Sequence, residues 1–475
     1  MRKVYPRGRL GPKSGRTLEN FSFECGLTFF CNRVNAFADD QWNKGQFIAR
    51  PLSDRWDTKL QPILAINSSR LFLAAGNIIY TYGFGISGNA LERAPDVFLE
   101  GIYSTSESTH PKTDITSLTC IPECGNDSTV FVGYANGIVE KLQLPPSKGS
   151  RQTTYVPSSA REAYEGHGDN IIESISASST HVLSFASSGT ACLRPIKLSE
   201  AKSPAEMISL NARGWSSYLS SRGHYHFAAF GTTSINPLVI HDVLPSGLSA
   251  NPSILLDVPV DYMSPPAVYD ITSAPVSSPW GASDQIVVSG WYDGFVRVHD
   301  LRSSNAARTA SSSSTPSPSS SDTSPITSLQ PTLSFDDPWS LEPIYSISCG
   351  GGSGAHIAAG SARHSVLAFW DVRYAKKGWS VHAPGGDPSP VYSVVIDGPR
   401  VFGANQSRGF VLDFGPGVRE ETYPAVNVNV NAATGPRVRT RRRGGAGDDD
   451  LKVLGPGFYV TTYSHARLNW TGKSL

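Results

Sequence analysis

The chain has 475 residues, of which 39% are hydrophobic and 17% charged, and its formal net charge is +1. This balance of 41 basic and 40 acidic residues excludes a global electrostatic attraction to nucleic acid or to an anionic membrane. No apolar run reaches the roughly 18 residues of a membrane span, and the basic start lacks the apolar core of a secretory signal. We therefore expect a protein of the cytoplasm and/or nucleus, with no membrane partner and no nucleic-acid partner.

Cysteine spacing gives no metal site. Among the six cysteines only Cys120 and Cys124 lie close together, and no second ligand pair is in range. Structural zinc sites normally take four ligands from closely spaced pairs. We expect buried, reduced thiols, no metal and no cofactor.

Short apolar strands separated by Gly, Asn, Asp and Ser recur along the chain, while helical periodicity is scarce. In chain order, these strand–turn–strand units occupy residues 63–82, 115–142, 171–193, 215–242, 268–302, 344–373 and 391–414. Most units start about 45–55 residues apart, slightly more than the 40–45 of a WD repeat. The pattern predicts an all-β fold, a seven-bladed β-propeller of WD-type repeats.

The fifth and sixth units are the most regular. In residues 286–302 an apolar strand is followed by Asp293-Gly294, a strong hairpin turn because Gly accepts a positive φ. A second strand with alternating apolar residues follows. Residues 357–373 align with this unit without a gap, so that His299-Asp300 falls on Trp370-Asp371.

Composition divides the chain into three parts. An N-terminal segment, 1–55, precedes the propeller at 56–415, and the propeller carries a Ser/Pro-rich insertion at 303–334. The insertion and most of the tail, 416–475, are predicted to be disordered because they cannot bury enough apolar surface. Residues 453–463 are the one place where the tail has strand character. Which terminal segment closes the ring is left open.

The tail also contains a basic cluster, Arg437–Arg443. Such a run is either a nuclear import signal, a nucleic-acid contact or a solvated basic tail. It lacks the interleaved aromatic residues that single-strand binders use.

Residues 290–302 resemble the WD-repeat consensus, with His299 where Trp usually stands, and residues 369–373 match it directly. Over about residues 31–415, the order of features is similar to that of F-box/WD-repeat proteins of the dactylin type. The resemblance implies a propeller whose blades are held by a set of architectural residues. In this sequence those WD positions are Ser289, Asp293, Asp300, Trp370 and Asp371.

Residues 31–42 resemble the closing helix of an F-box, in which a Cys-x-Arg run leads to an acidic pair and a Trp. The resemblance implies that Cys31, Arg33 and Trp42 contribute to binding the adaptor of a cullin-RING ubiquitin ligase. The Leu-Pro segment and two further helices that open an F-box have no counterpart in residues 1–30. Either the box is degenerate or the chain lacks its true beginning.

Propeller geometry predicts a partner-binding rim, because the turns between the second and third strands of the blades surround one mouth of the central channel. Trp, Tyr and Arg are enriched in binding hot spots, and several Arg side chains together favour an acidic or phosphorylated partner. Either both members of the Trp-Tyr pair are exposed or one packs against the adjacent blade. The predicted rim residues are Tyr134, Asn136, Trp291, Tyr292, Arg363, His364, Gln406 and Arg408.

No catalytic motif accompanies these repeats. The Gly-rich run at 350–354 is not followed by Lys and joins two strands, which indicates an interstrand loop rather than a phosphate cradle. We therefore expect a non-catalytic protein. The favoured function is substrate recognition in an SCF-type cullin-RING ubiquitin ligase, where the propeller binds a protein substrate to be ubiquitinated and the F-box binds the adaptor and, through it, the cullin. The alternative is a WD-repeat scaffold for complex assembly without ligase function.

Overall fold

The computed structural model describes residues 34–85, 95–108, 110–121, 128–146, 149–196, 206–220, 226–256, 266–277, 279, 283–303, 327–338, 340–384, 387–426 and 462–464. These residues form a seven-bladed β-propeller, so the predicted all-β class and the seven repeats are confirmed. The innermost strands of the blades contact one another in cyclic order, and the last contacts the first.

Each blade is an antiparallel sheet of four principal strands that pair in order from the central axis outward. Blade 1 comprises Ile63–Ile66, Arg70–Ala75, Ile78–Gly85 and Asp96–Ser104. Blade 2 comprises Ile115–Cys120, Thr129–Tyr134, Val139–Gln143 and Arg161–Tyr164. Blade 3 comprises Ile172–Ala177, His181–Ala186, Thr190–Pro195 and Glu206–Ser209. Blade 4 comprises Arg213–Leu219, Phe227–Thr233, Leu238–Leu244 and Ile254–Leu256.

The last three blades complete the ring in the same way. Blade 5 comprises Val268–Ser273, Ile286–Trp291, Phe295–Asp300 and Leu333–Asp336. Blade 6 comprises Ile344–Gly350, His356–Ser361, Val366–Asp371 and Gly378–His382. Blade 7 comprises Val391–Asp397, Arg400–Asn405, Gly409–Asp413 and, as its outermost strand, Ile48–Pro51.

Short helices and additional strands lie outside the principal strands of the blades. A helix spans residues 34–44. Within the described residues, four short 3-10 helices lie at Pro111–Thr113, Ser158–Ala160, Val372–Tyr374 and Glu420–Thr422. Four further strands pair along the sides of blades 1, 4 and 6, and they are Thr153–Tyr155, Gly247–Leu248, Thr327–Leu329 and Thr462–Ser464.

The N-terminal segment closes the ring. Ile48–Pro51 pairs antiparallel with the third strand of blade 7, with Ile48 opposite Asp413 and Pro51 opposite Phe410. This corrects the boundary drawn at residue 55, because four residues assigned to the preceding segment belong to the propeller. A sheet contributed by both ends of the chain ties the first and last blades together, so the ring cannot open without losing these ladder hydrogen bonds.

Two segments expected to be disordered contain strands. In the insertion, Leu333–Asp336 begins inside the predicted limits and forms the outer strand of blade 5, while Thr327–Leu329 pairs parallel with Ile254–Leu256 of blade 4. The prediction is therefore wrong for residues 327–334, and residues 304–326 lie outside the described part. In the tail, Thr462–Ser464 pairs with Gly378–His382 and overlaps the strand expected at 453–463, whereas Arg437–Arg443 lies outside the described residues.

The core lies between the blades. Among the described residues, seven hydrophobic clusters form, one at each interface between neighbouring blades. The second strand of a blade faces a neighbour on both sides, which explains why Ile286–Trp291 and Arg400–Asn405 are buried along their whole length. Continuous apolar runs are the pattern that a strand buried on both faces requires.

A belt of hydrogen bonds joins the innermost strands of neighbouring blades. In each case a polar side chain on one first strand bonds the backbone of the next. Thr116 Oγ1 donates to the Ile172 carbonyl at 2.7 Å, and Ile347 N donates to Asp270 Oδ2 at 2.7 Å. Three serine hydroxyls accept hydrogen bonds from the next blade in the same way: Ser176 Oγ accepts from Leu219 N, Ser348 Oγ from Ile396 N, and Ser393 Oγ from Leu64 N. Because these strands line the channel, the belt satisfies polar groups that apolar packing alone would leave unpaired.

Candidate protein-binding rim

Different turns and connections lie on the two faces of the ring. The turns joining second to third strands and the connections between blades lie on one face, which we call the upper face. The turns joining first to second and third to fourth strands lie on the opposite, lower face. The predicted rim is therefore on the upper face.

The structure divides the eight predicted rim residues by exposure. Tyr292, Arg363 and His364 are exposed, and Asn136 and Gln406 are half-buried. Tyr134, Trp291 and Arg408 are buried, with 4%, 0% and 7% exposed. The buried residues cannot contact a partner without a change in the propeller, so the rim available to a partner is smaller than the sequence predicted.

Trp291 is buried because it completes a polar set within blade 5. Its indole Nε1 donates to Ser289 Oγ at 2.8 Å, and the Arg297 guanidinium lies 4.6 Å from the centroid of its ring. Arg297 also forms an ion pair with Asp293 at 2.6 Å. Trp291 thus supplies the indole that the WD pattern usually places at position 299. Of the two alternatives for the Trp-Tyr pair, the second holds: Trp291 is packed within the propeller, and Tyr292, 50% exposed, is at the surface.

The other WD positions also act within the fold. Asp300 accepts from Arg302, and Asp371 accepts from Arg373, so the Asp-x-Arg pattern gives the same local ion pair in blades 5 and 6. Trp370 is buried between these blades and lies 5.8 Å from Phe335, measured between ring centroids.

Blade 3 holds a polar pair that the sequence did not reveal. His167 precedes the first strand of this blade, and its Nε2 lies 2.7 Å from Ser184 Oγ. The serine is in the second strand of the blade, where the WD pattern places the hydroxyl partner of this histidine. Blade 3 is therefore held in part by this contact between a histidine and a serine.

Three arginines of the upper face have contacts within the fold or are buried. Arg363 lies 3.7 Å from Glu342, and Arg213, at the start of blade 4, pairs with Glu173 at 2.7 Å. Arg408 is buried, and desolvation and the neighbouring Arg55 lower the pKa of its guanidinium. An acidic or phosphorylated partner was predicted because of Arg363 and Arg408, and the burial of Arg408 and the contact of Arg363 with Glu342 leave less positive charge for such a partner than the sequence predicted.

A row of aromatic side chains surrounds the upper mouth of the channel over blades 4 to 7, and we call it the aromatic arc. Ring centroids are 4.8 Å apart for Trp215 and Tyr269, 5.0 Å for Tyr269 and Tyr345, and 6.3 Å for Tyr345 and Tyr392. Tyr292 flanks the row, 6.2 Å from Tyr269. All five rings are partly exposed.

The arc arises from one repeated backbone feature. In each of blades 4 to 7 the register of the first strand shifts at its start, and the extra residue of this bulge is the aromatic one. Bulges redirect side chains. The sequence signal was the repeated Val-Tyr, Ile-Tyr and Val-Tyr at 268–269, 344–345 and 391–392. It was missed because these tyrosines were interpreted as strand positions and not as a surface.

Asp270, next to the arc, is desolvated between the first strands of blades 5 and 6. Its oxygens accept from Ile271 N at 2.8 Å and Ile347 N at 2.7 Å. Burial raises the pKa of this carboxyl to about 7, against the opposing effect of the two backbone donors. The folded state therefore holds the proton more tightly than the unfolded chain does.

We expect Asp270→Asn to remove a pH dependence of stability. The stabilising effect of the proton is fully present below the unfolded pKa near 3.8 and is lost as the pH rises to about 7. Over this interval the free energy of unfolding of the wild type should fall by about 1–2 kcal/mol more than that of the variant. The difference is limited to this size because the Asp270 carboxyl is partly exposed to the channel. Urea unfolding of both proteins at several pH values measures this difference. Parallel pH profiles would contradict the assignment, since every other titrating group is shared.

On the lower face, the helix 34–44 packs across blades 6 and 7. The Trp42 ring stacks on His356 with centroids 4.2 Å apart, and it lies 5.0 Å from Phe369 and 4.9 Å from Phe414. Asp39 accepts from Ser353 N at 2.9 Å and from Arg373 at 3.3 Å. The helix is thereby fixed to the ring by apolar and polar contacts.

The helix 34–44 packs against the Gly-rich run 350–354. A Cβ atom on Gly352 would lie 2.7 Å from the carbonyl oxygen of Asn35, so only glycine allows the helix backbone to approach this closely. The run was predicted to be an interstrand loop, which is correct. The contact between this loop and the helix joins residues more than 300 positions apart, so the sequence did not indicate it.

The predicted adaptor-binding residues fall into two groups. Cys31 and Arg33 lie outside the described residues. Trp42 is only 4% exposed and belongs to the hydrophobic cluster between blades 6 and 7. In this arrangement its ring contacts the propeller and is not available to an adaptor, which corrects the role predicted for it.

Within the described part of the chain, no helix is both long and apolar enough to cross a bilayer. The same residues contain no group of three or more His, Cys, Asp or Glu side chains that could hold a metal ion.

No model of a known protein family matches the chain, and a search among curated proteins finds no match. The fold therefore supplies the class. A closed seven-bladed propeller suggests a protein-binding scaffold.

Proposed function

We propose that this protein is a non-catalytic substrate-recognition subunit of an SCF-type cullin-RING ubiquitin ligase. In this role the upper face of the propeller binds a protein substrate, and the segment 1–33 binds the adaptor, which connects it to the cullin. The chain makes no covalent bond; it raises the effective concentration of a substrate lysine near the charged ubiquitin-conjugating enzyme. We place this activity in the cytoplasm and/or nucleus.

The observation that supports the proposal is the placement of two features on opposite faces. The aromatic arc opens on the upper face, while the helix 34–44 is fixed to the lower face through Trp42 and Asp39. The first turn of the helix, at Asn35, therefore lies on the side of the ring away from the arc. Two partners bound at these places would not compete for surface, and a fixed helix would hold them at a constant distance. This is the geometry that a subunit bridging substrate and adaptor requires.

The direct test is a pull-down with the purified ligase adaptor. We expect the full chain to retain the adaptor at near-stoichiometric level. A version without residues 1–33 should lose it while its thermal unfolding still shows an intact propeller. Equal retention by both versions would place adaptor binding elsewhere on the chain, and no retention by the full chain would reject the ligase assignment.

A second candidate, a WD-repeat scaffold without ligase function, is favoured by the burial of Trp42. In that reading the helix 34–44 only stabilises the junction of blades 6 and 7, where Ala38 and Trp42 join the cluster between them. The pull-down separates the two candidates, because a scaffold binds its partners without the adaptor.

A further inference from the structure

The aromatic arc on the upper face consists of partly exposed rings that pack edge to face, with interplanar angles of 79° for Trp215 and Tyr269 and 65° for Tyr269 and Tyr345. Burial, and to a lesser extent the neighbouring Tyr345 and Tyr292, raise the pKa of Tyr269 to about 12, so its phenol stays neutral at physiological pH. Gln406 Nε2 donates to the Tyr392 hydroxyl at 3.2 Å and orients the last ring of the row. Neutral, oriented aromatic rings attract cations because the face of the ring is electronegative.

One cationic side chain of the propeller already packs on a ring of the arc. The Arg213 guanidinium lies 4.1 Å from the centroid of the Trp215 ring, while Glu173 pairs with the same guanidinium at 2.7 Å. The first ring of the row thus shows the geometry in which an arginine and an aromatic face combine with a carboxylate. The other three rings of the row, in blades 5 to 7, have the same position in their blades.

Carboxylates accompany those remaining rings. Glu342 lies on the connection into blade 6, beside the highly exposed Arg363. Asp387 lies on the connection into blade 7, close enough to contribute to the raised pKa of Tyr392, after burial and the Tyr345 hydroxyl. Of these two carboxylates, Glu342 is paired with Arg363, whereas Asp387 places a negative charge beside Tyr392, which favours a cationic side chain over an acidic one at that ring.

The arc also has an apolar border. Leu341 is 66% exposed, and its backbone lies against Gly294 in the turn that carries the half-exposed Tyr292. Leu341 and Tyr292 thus provide two exposed side chains with apolar surface on the rim beside the arc.

We propose that the aromatic arc binds an extended segment of a partner protein that presents an arginine or lysine beside an apolar residue. The cation lies over the tyrosine faces of blades 5 to 7, and the apolar residue contacts Leu341 and Tyr292. The inference rests on the protein-binding function proposed above and names the chemistry of the partner, but it does not depend on the ligase assignment.

The test uses the full chain and a fluorescein-labelled peptide in which arginine and leucine alternate between glycines, followed by fluorescence polarisation. Peptides with glutamine or glutamate in place of arginine, and a polyproline peptide, are measured in parallel. We expect the arginine peptide to bind most tightly, and Tyr269→Ala and Tyr345→Ala each to weaken it by about tenfold, the size expected for losing one cation–π contact.

Two further variants control for folding and for nonspecific loss. Tyr345→Phe keeps the ring and should bind within about twofold of the wild type, because the face and not the hydroxyl carries the attraction. Tyr374→Ala truncates a tyrosine that is 57% exposed on the lower face and should leave binding unchanged. The proposal is overturned if the glutamine, glutamate or proline peptide binds as tightly as the arginine peptide, or if the two arc variants bind like Tyr374→Ala. The assay contains no adaptor, so its failure and that of the pull-down are separate results.

Discussion

Trp42→Ala is expected to lower the free energy of unfolding by about 3–5 kcal/mol, the usual range for truncating a large buried aromatic residue. The reason is the number of packing partners that the ring has: it stacks on His356 and contacts Phe369 and Phe414 from two different blades. Its loss would leave a cavity at the junction of blades 6 and 7. Denaturant unfolding followed by circular dichroism measures the change.

A second variant tests the same contact without touching the tryptophan. Gly352→Ala adds one methyl group that would lie 2.7 Å from Asn35 O, so it should displace the helix 34–44 and destabilise the protein in the same direction. Trp42→Phe keeps part of the stack and should retain more stability than alanine. If Trp42→Ala changed the unfolding midpoint no more than a surface substitution does, the docking of the helix would be wrong.

Asp413→Ala is expected to lower the free energy of unfolding by a comparable amount, about 3–5 kcal/mol, because it leaves a buried guanidinium without its counter-charge. Arg400 is 2% exposed, and its Nε lies 3.2 Å from Asp413 Oδ2. Arg400 also donates to the Pro95 carbonyl in blade 1, and the Tyr423 hydroxyl donates to Asp413. These contacts join blade 7, blade 1 and the chain that follows the last strand.

The matched control replaces both partners. In Arg400→Met/Asp413→Leu no buried charge remains, so this double variant should be more stable than Asp413→Ala, since apolar replacements of buried ion pairs are often neutral or stabilising. The double-mutant cycle, completed with Arg400→Met and Asp413→Leu alone, measures the coupling energy between the two positions. Additive effects of the two single substitutions would show that the pair does not interact as the structure indicates.

The repeat architecture was predictable because its signals are local. An apolar strand, the Asp293-Gly294 turn and a second strand require only neighbouring residues, and the seven units found in this way are the seven blades. The WD positions were also recognisable, since Asp300–Arg302 and Asp371–Arg373 are contacts between residues two positions apart.

The rim was only partly predictable, because exposure depends on neighbours from other parts of the chain. Position 291 appeared equivalent to position 292 in the sequence, yet Trp291 turns into blade 5 to bond Ser289 while Tyr292 points outward. Trp42 is a second example. The Cys-x-Arg run and the acidic pair that precede it predicted a contact with the adaptor. Its actual partners are more than 300 residues away in sequence, and no local pattern encodes them.

The sequence by itself therefore determined the fold class and the number of blades, because apolar strand patterns and turn residues act over a few positions. Tertiary structure alone decided the closure of the ring by Ile48–Pro51, the seating of the helix 34–44 on Gly352 and the joining of four separate bulges into one aromatic arc. Each of these is a contact between distant segments, and it exists only once the seven blades have closed into a ring.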